Sequence, residues 1–283
     1  MKRRRFLTII AAAAVAPRAA PAQEWRGEAF GADICLQVDG AAPMAEIRAE
    51  IAEIEATFSL FAESELTRLN RAGGGPLSAR MRGVLQAAAQ VHAATAGCFD
   101  PTVQPLWQAL ATGGDATAAR ALIGFDRLQL GTELRMAPGQ ALTLNGIAQG
   151  HAADCIAALL ARAGHSNCLI DMGEFAALGG PWRLAVEDPG AGRIGTRSLY
   201  GPGAIASSSP GALALPGGSH ILGPRGEAPR WSTVSVEGPS AMMADAAATA
   251  FVLMEEAAIR AARARLGLGA VTLVGFDGDA RVI

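Results

Sequence analysis

From Pro43 to Phe58 the apolar residues Met44, Ile47, Ile51, Ile54 and Phe58 recur at steps of three and four, which predicts an amphipathic helix. Ser64 stands where a side chain can cap a second, short helix ending near Asn70. The Ala-rich run Ser78–Thr95 predicts a third helix, stopped by Gly97, while Gly73–Pro76 reads as a loop. Further helices are expected over Ala241–Met254 and Glu255–Leu266. Strand patterns cover Glu28–Val38, Asn167–Met172, Arg183–Val186, Gly203–Ser208, Thr233–Glu237 and, as the final strand, Ala270–Phe276. Arg127–Thr143 reads as paired strands with turns at Gly131-Thr132 and Pro138-Gly139, and Pro189–Pro216 as a Gly/Pro/Ser-rich region carrying surface loops. Helices and strands do not alternate strictly, so an α+β fold fits better than a doubly wound sheet.

Between these elements, Leu142–Asp154 reads as a short strand, a tight turn with Gly146 and Gly150, and the opening of a helix that ends near Gly164. Unpaired first-turn amides and the helix dipole favour an anion there. Ala244–Thr249 sets the Asp245 carboxylate and the Thr249 hydroxyl four residues apart on one helical face. A metal-bridged phosphate would use both features. By spacing alone, Asp245 reads equally as a surface carboxylate and Thr249 as a hydroxyl bonded to its own helix.

The chain has 283 residues, 51% hydrophobic and 18% charged, enough to bury a core. Its start, Lys2-Arg3-Arg4-Arg5 followed by apolar Phe6–Val15 and small residues ending at Ala22, fits a twin-arginine export signal over 1–22 and periplasmic localisation. Removing that segment takes away five basic residues and leaves 19 basic against 26 acidic, a balance of −7. An acidic exported chain without a basic patch points away from nucleic acid. No later apolar run is expected to span a membrane. Cys35, Cys98, Cys155 and Cys168 show no C-x-x-C spacing, so buried thiols or one disulfide are the readings left.

Six segments, in order, resemble the flavin transferase family (FAD:protein FMN transferases, also called the ApbE-like or thiamine biosynthesis lipoprotein family). They are Phe58–Asn70, Gly97–Leu106, Leu144–Asp154, Ala204–Ser209, His220–Pro224 and Val234–Thr249. The resemblance implies one compact α+β domain over 23–283, with antiparallel-rich sheets packed against helices and a relation to the T-fold. It implies Mg²⁺-dependent transfer of FMN from FAD to a Thr or Ser hydroxyl of an acceptor flavoprotein, with release of AMP. The metal would lie among the Gly146 carbonyl, Asp245 and Thr249, and Asp245 would serve catalysis through it. Cys98, Phe99, Asp100, Thr143, Gln149 and His220 would contact FAD, with Phe30 and Phe61 as aromatic walls. His220 could also take the acceptor's proton; His92, His151 and His165 have no assigned role.

Several positions depart from the family pattern. Thr143, Asn145, Gln149 and Gly223 replace other common residues, and Asp171-Met-Gly-Glu174 stands where many members have Asn-Ala-Gly-Gly-Asp. These changes leave two alternatives: a non-catalytic periplasmic FAD-binding and delivery protein, or a metal-dependent FAD pyrophosphatase. The variant cradle is similar to a periplasmic branch associated with nitrous-oxide respiration, whose acceptor is a membrane-associated respiratory component.

Overall fold

The computed structural model describes residues 7–9 and 22–283, so the expected export signal over 1–22 lies almost wholly outside the described residues. Its frame is one eight-stranded antiparallel sheet. The strands are β1 (Ala22–Ala29), β2 (Ala32–Asp39), β3 (Cys168–Asp171), β4 (Phe175–Leu178), β7 (Gly203–Ser208), β8 (Thr233–Gly238), β9 (Val271–Val274) and β10 (Ala280–Val282). Sheet order follows chain order. The hairpin β5 (Trp182–Asp188) and β6 (Gly192–Leu199) forms a separate small sheet, joined on the β5 edge by the backbone of Leu7–Ile9.

Period-two alternation explains how both faces of the central strands are buried. Cys168 and Ile170 of β3, Ala176 of β4 and Ala204 and Ala206 of β7 face the main core. Leu169, Phe175, Ala177 and Ile205 point the other way and pack with Leu184, Val186 and Leu199 of the β5–β6 hairpin. The main-core face is covered by α1 (Met44–Phe58), α3 (Ala79–Ala94), α5 (Ala148–Arg162), α6 (Ala241–Phe251) and α7 (Glu256–Leu266). The short helices α2 (Glu65–Ala72) and α4 (Gln104–Thr112) lie between these in sequence. Helix α6 touches β7, β8, α3 and α5. Its alanines at 244, 246, 247, 248 and 250 are all buried, as suits a helix apolar all round.

The periodicity of α1, the cap of α2 and the spans of β7 and β8 agree with expectation. Ser64 and Thr67 form a reciprocal capping box. Other elements differ. Glu28–Val38 is not one strand, because Phe30 (φ 55°) and Gly31 (φ 68°) turn the chain into the β1–β2 hairpin. Gly74–Pro76 is not a loop but pairs with Glu133–Arg135, which also pairs with Gln129–Leu130; the rest of Arg127–Thr143 forms no strand. Pro189–Pro216 contains all of β6, and β10 follows what was expected to be the final strand. Helix α5 opens at Ala148, ahead of Gly150.

Among the described residues no helix is long and apolar enough to cross a membrane. All four cysteines are free thiols, with Cys35 and Cys168 buried.

Candidate active site

Helices α5 and α6 cross at unusually close range, and Gly150 makes this possible. A Cβ at 150 would lie 2.3 Å from the Ala241 carbonyl oxygen and 2.6 Å from its carbon. Gly150 is therefore a helix-contact glycine, not the turn glycine its spacing suggested. Its amide donates to Asp245 Oδ2 at 3.1 Å. Asp154, one turn further along α5, caps α6: Ser240 Oγ, Ala241 N and Met242 N donate to its carboxylate at 2.7, 2.8 and 3.0 Å.

This crossing brings Asp245 and Thr249 to the wall of a cavity, with the Gly146 backbone beside them. Asp245 is buried, in contrast to a helix-surface carboxylate, and Thr249 follows one turn later on the same face. Thr249 Oγ1 lies 3.3 Å from Ser208 Oγ at the end of β7. The Gly146 backbone passes so near that a Cβ there would sit 2.7 Å from Thr249 Oγ1. A carboxylate, a hydroxyl and a backbone carbonyl are the donor chemistry of a hard divalent cation. The residues present fit Mg²⁺.

The same cavity is lined by Cys98, Phe99, Asp100, Thr143, Gly146, Gln149, His220, Asp245 and Thr249, nine of the eleven residues expected to form the site. Phe30 and Phe61 are not among its lining residues. Phe30 packs against the main core, with its amide on Glu55 Oε1 at 2.9 Å, and Phe61 is 84% exposed. Trp107, Glu174 and Ser207–Ser209 also line the cavity. Glu174 and Ser207–Ser209 were named only within motif segments, and none of these residues was expected to line the site. The Ser run and the Gly-Glu at the end of a strand were visible signals; Trp107 had no patterned context.

Backbone anchoring explains several of the ordered motifs. The Asn70 side chain bonds both backbone groups of Leu142, at 2.7 and 2.9 Å, as a strand neighbour would. The Thr143 amide then reaches the Pro101 carbonyl at 2.8 Å. Asp100 is occupied structurally: Oδ1 accepts from Thr102 N and Oγ1, and Oδ2 from Phe125 N. It braces the segment that presents Cys98 and Phe99. His92, given no role from sequence, bonds the Phe99 carbonyl through Nδ1 at 2.8 Å. Burial, and then the charge of Glu227, push the Cys98 thiol's pKa up despite the nearby Arg225 guanidinium, so it stays protonated.

The expected anion cradle is built differently from its sequence reading. The Ile147 and Ala148 amides bond the Leu144 carbonyl, and Gly150 serves Asp245, so these donors are committed to the protein. Gln149 is folded inward, its Nε2 3.3 Å from the Met172 carbonyl and close over Gly173, whose φ of 96° suits glycine. Glu174 accepts from the Ser207 amide at 2.9 Å.

His220 Nδ1 lies 2.9 Å from the Leu213 carbonyl. A carbonyl only accepts, so this bond puts the ring proton on Nδ1 and the lone pair of the neutral ring on Nε2. Gly223, one of the positions that depart from the family pattern, packs too tightly for a side chain: a Cβ there would sit 2.3 Å from the Glu227 carbonyl oxygen. Arg120 Nη1 instead secures the Gly223 carbonyl at 2.7 Å.

His151 lies outside the cavity lining, edge-on to Phe58 with ring centroids 5.6 Å apart. Burial first, and the Arg80 charge second, pull its pKa down to about 4. An unfolded histidine takes its proton near 6.5. Between these values the unfolded chain binds a proton that the folded chain does not, so stability falls as pH drops from about 6.5 toward 4, by up to about 1.4 kcal/mol per pH unit. The denaturation midpoint of His151→Gln should therefore lose less between pH 7 and pH 5 than that of the unchanged protein. Equal losses would remove His151 as the cause.

The sequence model of the ApbE family matches residues 30–272. A FAD:protein FMN transferase of Vibrio cholerae serotype O1 is 28% identical over 225 residues, covering 69% of this chain and 67% of that protein. A protein of the same name from Rhodobacter capsulatus is 28% identical over 266 residues, covering 83% of this chain; the match spans only 51% of that longer relative. The solved structure of the flavin transferase ApbE from Vibrio cholerae superposes with a TM-score of 0.77 at 26% identity, over 93% of this chain and 97% of that one. The apo flavinyl transferase ApbE of Pseudomonas stutzeri gives 0.79 at 25% identity, over 93% and 94%. With a buried oxygen-donor cavity at the crossing of two helices and the family's sequence pattern running through nearly the whole sheet, this chain belongs to the ApbE family.

Proposed function

We propose that this protein transfers FMN from FAD to a Thr or Ser hydroxyl of an acceptor flavoprotein, with AMP as the other product. The observation that carries this reading is the convergence of nine expected residues from distant segments on one cavity. Asp245, Thr249 and the Gly146 carbonyl would hold Mg²⁺, which supplies neutralisation of pyrophosphate charge. The chain's own residues position the rest. Phe99, Trp107, Leu213 and Ile221 offer apolar and aromatic surface to flat rings. In the transfer, the acceptor oxygen forms a bond to the FMN phosphorus as the bond from that phosphorus to the bridging oxygen breaks. AMP leaves with the bridging oxygen, and Nε2 of His220 takes the acceptor's proton.

Export by the twin-arginine route to the periplasm, with a membrane-associated respiratory flavoprotein as acceptor, belongs to the same proposal. Its test is incubation of residues 23–283 with FAD, Mg²⁺ and flavin-acceptor domains. Covalent flavin fluorescence on the acceptor after denaturing electrophoresis is the expected result. Free FMN and AMP without labelled protein would mean hydrolysis, and bound FAD with no AMP would mean storage or delivery. Either outcome overturns the transferase reading.

A further inference from the structure

Away from the cavity, three residues of different chemistry meet where no motif placed them. Asp39 ends β2 and Cys168 opens β3, beside one another because Val38 pairs with Cys168 in the sheet register. His165 comes from the connection between α5 and β3. Its Nδ1 lies 3.0 Å from Asp39 Oδ1, Cys168 Sγ lies 3.3 Å from the same oxygen, and one donor atom from each residue falls within 4.8 Å of the others. We infer that Asp39, His165 and Cys168 form a site for a thiophilic divalent cation of the Zn²⁺ class.

The donor set and its dimensions both support this. Thiolate, imidazole and carboxylate are the ligands that zinc combines, whereas Mg²⁺ takes oxygen alone. Zinc bonds of about 2.0–2.3 Å in a tetrahedron separate their ligand atoms by about 3.3–3.6 Å. The observed separations from Asp39 Oδ1 are within a few tenths of an ångström of that. The second carboxylate oxygen is already oriented by the Ser166 and Asn167 amides at 3.2 and 3.1 Å, as outer-shell donors orient a metal-bound carboxylate.

Cys168 is buried, while the side chains of Asp39 and His165 keep 25% and 12% of their surface exposed. That exposure lets an ion approach from solvent, with a water as its fourth ligand. On binding, the Cys168 thiol gives its proton to solvent. The imidazole proton passes from Nδ1 to Nε2, ending the 2.8 Å bond from Nδ1 to the Asp39 carbonyl. The cation would clasp β2, β3 and the α5–β3 connection. It would do so at the end of β3 opposite Asp171, about 10 Å along the strand from the bend that lines the cavity.

Co²⁺ titration of untagged protein tests the assignment without reference to flavin transfer. The expected result is a near-ultraviolet thiolate-to-cobalt charge-transfer band with tetrahedral visible bands, abolished by an equivalent of Zn²⁺. Cys168→Ser and His165→Gln should lose the band; Cys98→Ala, Cys155→Ala and Asp245→Asn should keep it, since those residues lie elsewhere. No band in the unchanged protein, or a band that survives Cys168→Ser, overturns the proposal. Should Cys168→Ser fail to fold, a band surviving His165→Gln overturns it equally.

Discussion

Asp245→Asn should lower flavin transfer on the order of 100-fold or more while the protein stays folded. Even outer-shell partners of a bound metal contribute roughly 10- to 100-fold, and a direct anionic ligand contributes at least as much. A hundredfold corresponds to about 2.7 kcal/mol of barrier. Asparagine keeps an oxygen for the Gly150 amide, now 3.1 Å from Asp245 Oδ2, but gives up the charge that attracts the cation. Asp245→Ala is a poorer test than a surface position would have made it. The carboxylate is buried, and its removal strands the Gly150 N–H at a cost of about 1–3 kcal/mol. Transfer rates and melting curves, each with and without Mg²⁺, separate the two variants. The asparagine protein should melt near the unchanged one without Mg²⁺ and gain little when Mg²⁺ and FAD are added. Full activity in Asp245→Asn would remove this residue from the metal.

Gly150→Ala has the largest expected effect on stability. The added methyl meets backbone atoms of Ala241 at 2.3 and 2.6 Å and Met242 Cα at 2.8 Å, and no rotamer change can move these away. Overpacking a core costs about 1–3 kcal/mol where side chains can adjust, so a backbone collision stands at the top of that range. For a chain of this size about 3 kcal/mol lowers the melting temperature by roughly 6–12 °C. Separating α5 from α6 also pulls the Asp245 carboxylate from the Gly150 amide and shifts Gly146 relative to Thr249. Transfer activity should therefore fall even below the new melting point. Scanning calorimetry with activity measured well below the transition checks both parts. A melting temperature within 2 °C of the unchanged protein would show that the helices separate without cost.

What the sequence disclosed depended on how local each signal was. Helix α1 could be read because its buried Ile47, Ile51 and Ile54 follow the period of a single turn. Strand β6 was hidden, because Gly192–Leu199 is largely solvent-facing and its arginines and glycines carry no alternation. Strand β4 is four residues long and apolar throughout, too short to declare a period. Gly150 was misread for a different reason. Glycine marks turns more often than helix crossings, and what distinguishes the two is Ala241, on another helix.

The cavity was more legible than the fold around it. Its lining residues sit largely in short ordered motifs, and the bonds from Asn70 to the Leu142 backbone and from His92 to the Phe99 carbonyl hold two of those segments in place. Phe30 and Phe61 stood in matching positions yet do not line the cavity, since the β1–β2 turn and an exposed loop carry them. The cluster of Asp39, His165 and Cys168 had no sequence signature, because Asp39 is 126 residues from His165 and only strand register brings them together.

The interlock of α5 and α6 divides the protein into parts that can and cannot vary. Gly150 supports Asp245, Asp154 caps the helix that carries Thr249, and Gly146 lies against Thr249, so each oxygen donor's position depends on the partner helix. A change to one of these residues disturbs the others, which leaves this frame little room to drift. The segments around Phe99 and Trp107 and around Leu213 and Ile221 reach the same cavity without entering that interlock. Change in what the cavity takes is thereby directed to those segments, with the oxygen donors held constant.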